Sequence, residues 1–172
     1  MAAKKFLRQV AGVITEIVAT ISSAGAANDG DIVALDANGK IAANMMPVGI
    51  AADIKNMVTS EDLVAGDLVN IYNNAGTLTA RKADASAAGK EAHGFVIAAV
   101  TSPAAADIYF EGTNTFCTGL TVGSEQYLSA TTPGKSTDTP PSGASQVVQR
   151  VGKALAATEL SFEPAQPIQL SA

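Results

Sequence analysis

Asp36, Asn38 and Gly39 stand in the stretch ALDANGKIAANMMPVG, residues 34–49. Alternate oxygen side chains leading to a glycine that turns the chain sharply are the start of a calcium loop. Such a loop needs further oxygen ligands and a bidentate glutamate beyond the glycine, and here the chain continues KIAANMMP with none at that position. Between DIVAL and KIAANM, Asn38-Gly39 is instead a strong hairpin signal, because both residues tolerate positive φ. Asp36 is then expected to bond to the turn's own backbone.

The other chemistry-bearing residues are sparse. SATTPGKST ends like a phosphate-cradling loop, but Ser129 replaces the first glycine, and Asp138, Pro140 and Pro141 occupy the place of the following helix. His93 is the only histidine and no G-x-S-x-G elbow occurs, so nucleophile and base are not paired in sequence. His93 is expected to start a strand and satisfy backbone groups, with Gly94 supplying an unusual backbone angle. Cys117 reads as a small buried apolar residue. Glu61, Asp62, Glu111 and Glu163 could supply a glycosidase pair, yet they are scattered, and without tryptophan the sugar-stacking platform is missing. One histidine and one cysteine cannot close a zinc shell. No metal and no cofactor is expected.

The totals agree with a building part rather than an enzyme. The chain has 172 residues, 47% apolar but only 5% aromatic, with a net charge of −5. That is room for one domain, or one domain with an arm, and the acidic balance excludes a global field for nucleic acid. The one dense basic cluster is Lys4, Lys5 and Arg8. A single cysteine excludes an intrachain disulfide and suits the cytosol. Arg8, Gln9, Thr15 and Glu16 interrupt the apolar N-terminus too often for a signal peptide, and no run approaches the ~18 apolar residues of a membrane span.

What positions these residues is a series of short strands. Phe6, Val10, Val13, Ile14, Ile17, Val18 and Ile21 fit helical spacing, but the β-branched run and the compact Ala11-Gly12 step favour a β-hairpin of FLRQV and VITEIVATI. DLVNIY, TLTARKA, GFVIAAV, DIYFEG, QYLSA, VVQRVGKAL and ELSFEP follow, divided by glycines and prolines. The expected fold is all-β: a compact β-barrel or β-sandwich with an N-terminal arm or hairpin and minor helix, one turn falling near SEDLVAG. The boundary is placed after residue 50, giving an N-terminal section 1–50 and a body 51–172. TTPGKSTDTPPSGAS, residues 131–145, reads as an exposed, mobile loop whose shortening would leave folding intact.

GDIVALDANGKIAANMMPVGI resembles a segment of tailed-bacteriophage structural proteins, in which an L-D-x-x-G-K turn leads to a Met-Pro or Leu-Pro step. AGDLVNIYNNAGTLTARKADAS, AHGFVIAAV, GLTVGSEQYLSATTPGKSTDTPP and VVQRVGKALAATELSFEP are similar to capsid decoration, or cement, proteins. The resemblance implies a structural virion protein without catalytic residues, made in the host bacterial cytoplasm and bound as a homotrimer to the outer surface of the phage head. Its partners would be the major capsid protein and copies of itself, with no direct nucleic acid and no membrane. A tail-fibre or receptor-binding module is the alternative.

Lys4, Lys5 and Arg8 beside Phe6, Leu7 and Val10 suit an arm laid on a neighbouring subunit, and equally an edge hairpin of the same domain. Met45, Met46 and Pro47 suit an adaptable contact surface, although core filling is the commoner use of such residues.

Overall fold

The computed structural model describes residues 4–37, 39–42, 45–46 and 53–172. The chain divides into two compact units, residues 1–51 and 52–172. Both are β-structures, and among the described residues the one helical element is a 3₁₀ turn at Gly25–Asn28. No helix among the described residues is long and apolar enough to cross a membrane.

In the first unit, strands β1 (Lys5–Val10) and β2 (Val13–Val18) form an antiparallel ribbon. Ala11 (φ 51°) and Gly12 (φ 84°) make its two-residue turn. Two successive positive φ angles give the turn whose twist matches that of the strands, which is why the hairpin prevails over the helical spacing. After the ribbon, Thr20 bridges to Val33 in parallel. DIVAL and KIAANM form no regular strands in their described residues, so the turn at Gly39 closes a loop rather than a ladder.

In the second unit, β3 (Ile54–Thr59), β4 (Leu68–Asn74), β5 (Thr77–Lys82), β6 (Gly94–Phe95) and β7 (Ala105–Tyr109) close into a barrel in the order β3-β5-β4-β6-β7. All neighbours are antiparallel except β3 and β5. A five-stranded sheet takes β8 (Gly112–Asn114), β9 (Glu125–Leu128), β10 (Ser136–Thr137), β12 (Arg150–Ala156) and β13 (Glu159–Phe162) in the order β10-β9-β12-β13-β8. Apart from these, β11 (Val147–Val148) pairs with β14 (Ile168–Gln169).

Two apolar cores follow from strand alternation. Val69, Ala80, Val96, Ala106 and Ile108 make one; Leu68, Phe95, Leu128, Val151, Leu160 and Phe162 belong to the other. Leu68 and Val69 are consecutive yet both buried, because β4 has a core on each face. Phe95 stacks on Tyr109 and meets Phe162 edge-on, both at 5.5 Å between ring centroids, and so ties barrel to sheet.

Four expectations are corrected by the structure. The SEDLVAG stretch is not helical: Leu63 pairs with Val100 instead, since its backbone is claimed by a neighbouring chain segment. GFVIAAV yields only the two-residue β6. Gly94 is required by close approach rather than by φ, because a Cβ there would lie 2.6 Å from the Tyr109 carbonyl oxygen. Residues 131–145 are exposed at 131–133 and 138–140, but they are not loop throughout and are anchored in their middle. The Gly134 N–H donates to the Ala83 carbonyl at 2.7 Å, its own carbonyl accepts from Leu68 N–H at 2.8 Å, and Ser136–Thr137 forms β10.

Candidate functional site

The ribbon gathers most of the residues singled out in the sequence. Alternate residues of a strand share a face, and so do partners directly opposite. The register Lys5↔Val18, Leu7↔Glu16 and Gln9↔Ile14 therefore defines a first face, and Phe6↔Ile17, Arg8↔Thr15 and Val10↔Val13 a second. On the first face Leu7 is 75% exposed, Ile14 70% and Val18 52%. On the second, Phe6 and Ile17 are half-buried, and Val10 and Val13 are exposed.

The basic cluster is less available than its composition suggests. Lys5 Nζ lies 3.0 Å from Glu16 Oε2 in an exposed ion pair on the first face. The Arg8 guanidinium lies over Gly30, where a Cβ would be 3.8 Å from it, and its charge reaches Asp31. Lys4 is exposed, and its carbonyl accepts from Ala19 N–H at 2.9 Å. Met45 is half-buried and Met46 exposed, while Pro47 lies outside the described residues. Leu7 is thus exposed with Ile14 and Val18 on the first face and Val10 with Val13 on the second, while Phe6 is half-buried; the signal of Val13, Ile14 and Val18 in the sequence was the β-branched run of the second strand.

The loop that resembled a calcium site is closed by its own backbone. Asp36 N–H donates to the Lys40 carbonyl at 2.8 Å, Lys40 N–H donates to Asp36 Oδ1 at 2.9 Å, and Gly39 has φ 74°. Asn38 lies outside the described residues. Nearby, Asp31 Oδ2 accepts from Asn28 Nδ2 and Thr20 Oγ1, and these two bonds hold its carboxyl below the usual range.

In the second unit the reactive residue types have structural partners. His93 Nδ1 accepts from Ile71 N–H at 3.0 Å, which needs the neutral ring; burial lowers its pKa, against a smaller opposing effect of Glu91. Burial pushes the Cys117 thiol up, with Lys135 acting in the other direction. Glu61 accepts from Lys82 N–H at the end of β5, and Asp62 from Ser102 N–H in a turn. Glu111 and Glu163 do line one open cleft, of about 410 Å³, with Thr113, Ser161 and Phe162. Phe162 is buried there and offers no ring face for a sugar. Lys135, the lysine of the phosphate-loop look-alike, is bound 2.6 Å from Asp67 Oδ1. Among the described residues, no three of His, Cys, Asp and Glu group as metal ligands.

No protein family, curated protein or solved structure matches the chain.

Proposed function

We propose that the chain is a capsid decoration protein: a non-enzymatic virion part that binds the outer surface of a phage head as a homo-oligomer, a trimer by resemblance, and bridges neighbouring capsomers. The observation that carries this reading is the ribbon, which presents apolar side chains on both faces while the second unit is packed around two cores of its own. A two-stranded ribbon is marginal by itself in water, so it is stabilised by what it lies against. Apolar side chains exposed together on one ribbon are the mark of an interaction surface. Docking at many equivalent sites turns modest contacts per copy into tight attachment through multivalency.

Copy number in purified virions tests the proposal, read from gel band intensity relative to the major capsid protein. Hundreds of copies per particle are expected. A handful would overturn it in favour of a tail-fibre or receptor-binding module, and absence from the particle would overturn both.

A further inference from the structure

We propose that His93 is an acid-sensitive latch in the second unit: its neutral ring closes the edge of β4, and a protonated ring swings into the neighbouring cleft and leaves that edge open. The ladder between β4 and β6 ends at His93, whose N–H donates to the Val69 carbonyl at 2.8 Å. The next donor on that edge, Ile71 N–H, is taken by the ring rather than by a carbonyl, at 3.0 Å from Nδ1. A side chain thus stands where a further strand residue would supply its oxygen.

The ring can serve only as an acceptor there. A second donor, Asn70 Nδ2, lies 3.4 Å from Nδ1. Asn70 is 1% exposed and cannot turn its oxygen to the ring, because Oδ1 accepts from Arg81 Nε at 2.9 Å and Nδ2 donates to the Glu91 carbonyl at 2.8 Å. Arg81 is fixed in turn by the Gly89 carbonyl at 2.7 Å and by the Tyr72 ring under its guanidinium. A proton on Nδ1 would face two donors, so the latched ring carries its proton on Nε2.

The charged ring has a place to go. His93 is exposed, and it lines an open cleft of about 400 Å³ with Glu91, Gln149 and the segment 164–167. Glu91 binds Gly89 N–H through Oε1 at 2.9 Å, so Oε2 can receive an imidazolium. Arg81, beyond Asn70, disfavours a cation at the ladder, whereas Glu91 favours one in the cleft. Lys90 is held 3.6 Å from Asp84, and Gln149 and the Pro-Ala-Gln-Pro of 164–167 bring no charge to the cleft. Leu68, Val69 and Phe95 keep their own pairing and burial when the ring leaves, so the opening is local.

NMR of the purified full chain tests the latch independently of the decoration role. At about pH 7.5 the ring nitrogen shifts should place the proton on Nε2. Between about pH 7.5 and 5 the protection factor of Ile71 N–H should fall about 30-fold, roughly tenfold per pH unit below the ~6.5 at which a free imidazole takes up its proton. Tyr72 N–H, which faces β5, should keep its protection. Cross-relaxation between the His93 ring and Pro164 or Pro167 should strengthen at the lower pH. In His93→Gln, which has no titrating ring, Ile71 protection should change less than about twofold over the same range. Five results would each overturn the latch: a neutral ring protonated on Nδ1, wild-type Ile71 protection indifferent to pH, an equal fall in His93→Gln, a fall shared by Tyr72, or a ring no closer to the two prolines in acid.

Discussion

Lys135 looks dispensable in the sequence, in a loop of glycine, proline, serine and threonine, yet its removal should be among the most damaging single changes in the second unit. Its Nζ lies 2.6 Å from Oδ1 of Asp67, whose side chain is 1% exposed. Among the described residues the other carboxylate oxygen accepts only from Val64 N–H, at 3.0 Å, and Gly134 packs directly over the carboxyl group. Lys135→Met keeps the apolar stem but leaves a buried carboxylate with one donor. Breaking a buried pair from one side costs ~3–5 kcal/mol. The Lys135 side chain is 41% exposed, so water reaches the vacated side and the loss should fall to about 2–3 kcal/mol.

The asymmetry of the pair makes a sharper test. Asp67→Asn retains an oxygen for Val64 N–H and frees an ammonium that can be hydrated, so it should cost only about 1 kcal/mol. The double variant should be more stable than Lys135→Met alone, because the stranded charge is gone. Urea unfolding followed by circular dichroism and tyrosine fluorescence measures all four corners of the cycle. A Lys135→Met loss below about 0.5 kcal/mol, or losses that simply add in the double variant, would refute the reasoning.

The remaining expectations are briefer. Gly152→Ala should cost at least about 3 kcal/mol or prevent soluble expression, since a Cβ there would lie 1.8 Å from the Ser161 carbonyl oxygen and φ is 148°; solubility and the urea midpoint measure it. His93 adds a pH dependence: its folded pKa lies below the ordinary ~6.5, so the unfolded chain takes up the proton first. The stability it contributes is complete above pH ~6.5 and is lost as pH falls through the folded value. In unfolding curves between about pH 7.5 and 5, His93→Gln should lose less stability than the wild type.

Much of the architecture was legible in the residues. Ala11-Gly12 and the β-branched run marked the ribbon, and the spaced glycines and prolines marked a body of short strands, because turn geometry and strand alternation are local properties. The short range of Asp36 to Lys40 likewise let the calcium resemblance be resolved into a turn by counting ligands. β3 was missed: IKNMVT alternates only weakly, and its pairing with β5 and β7 lies far away in sequence.

What the tertiary structure alone decided are the long-range partnerships. No local signal links Lys135 to Asp67, Gly152 to Ser161 or Gly94 to Tyr109, and these pairs turn a flexible-looking loop and two ordinary glycines into points the fold depends on. The same holds at the ribbon. Composition identified an apolar and basic N-terminus, but only the register showed that Lys5 is paired, that Arg8 is turned towards Gly30, and that Leu7, Ile14 and Val18 share one uncovered face. A side chain's type is written in the sequence, whereas whether it is free to act is set by what the fold places opposite it.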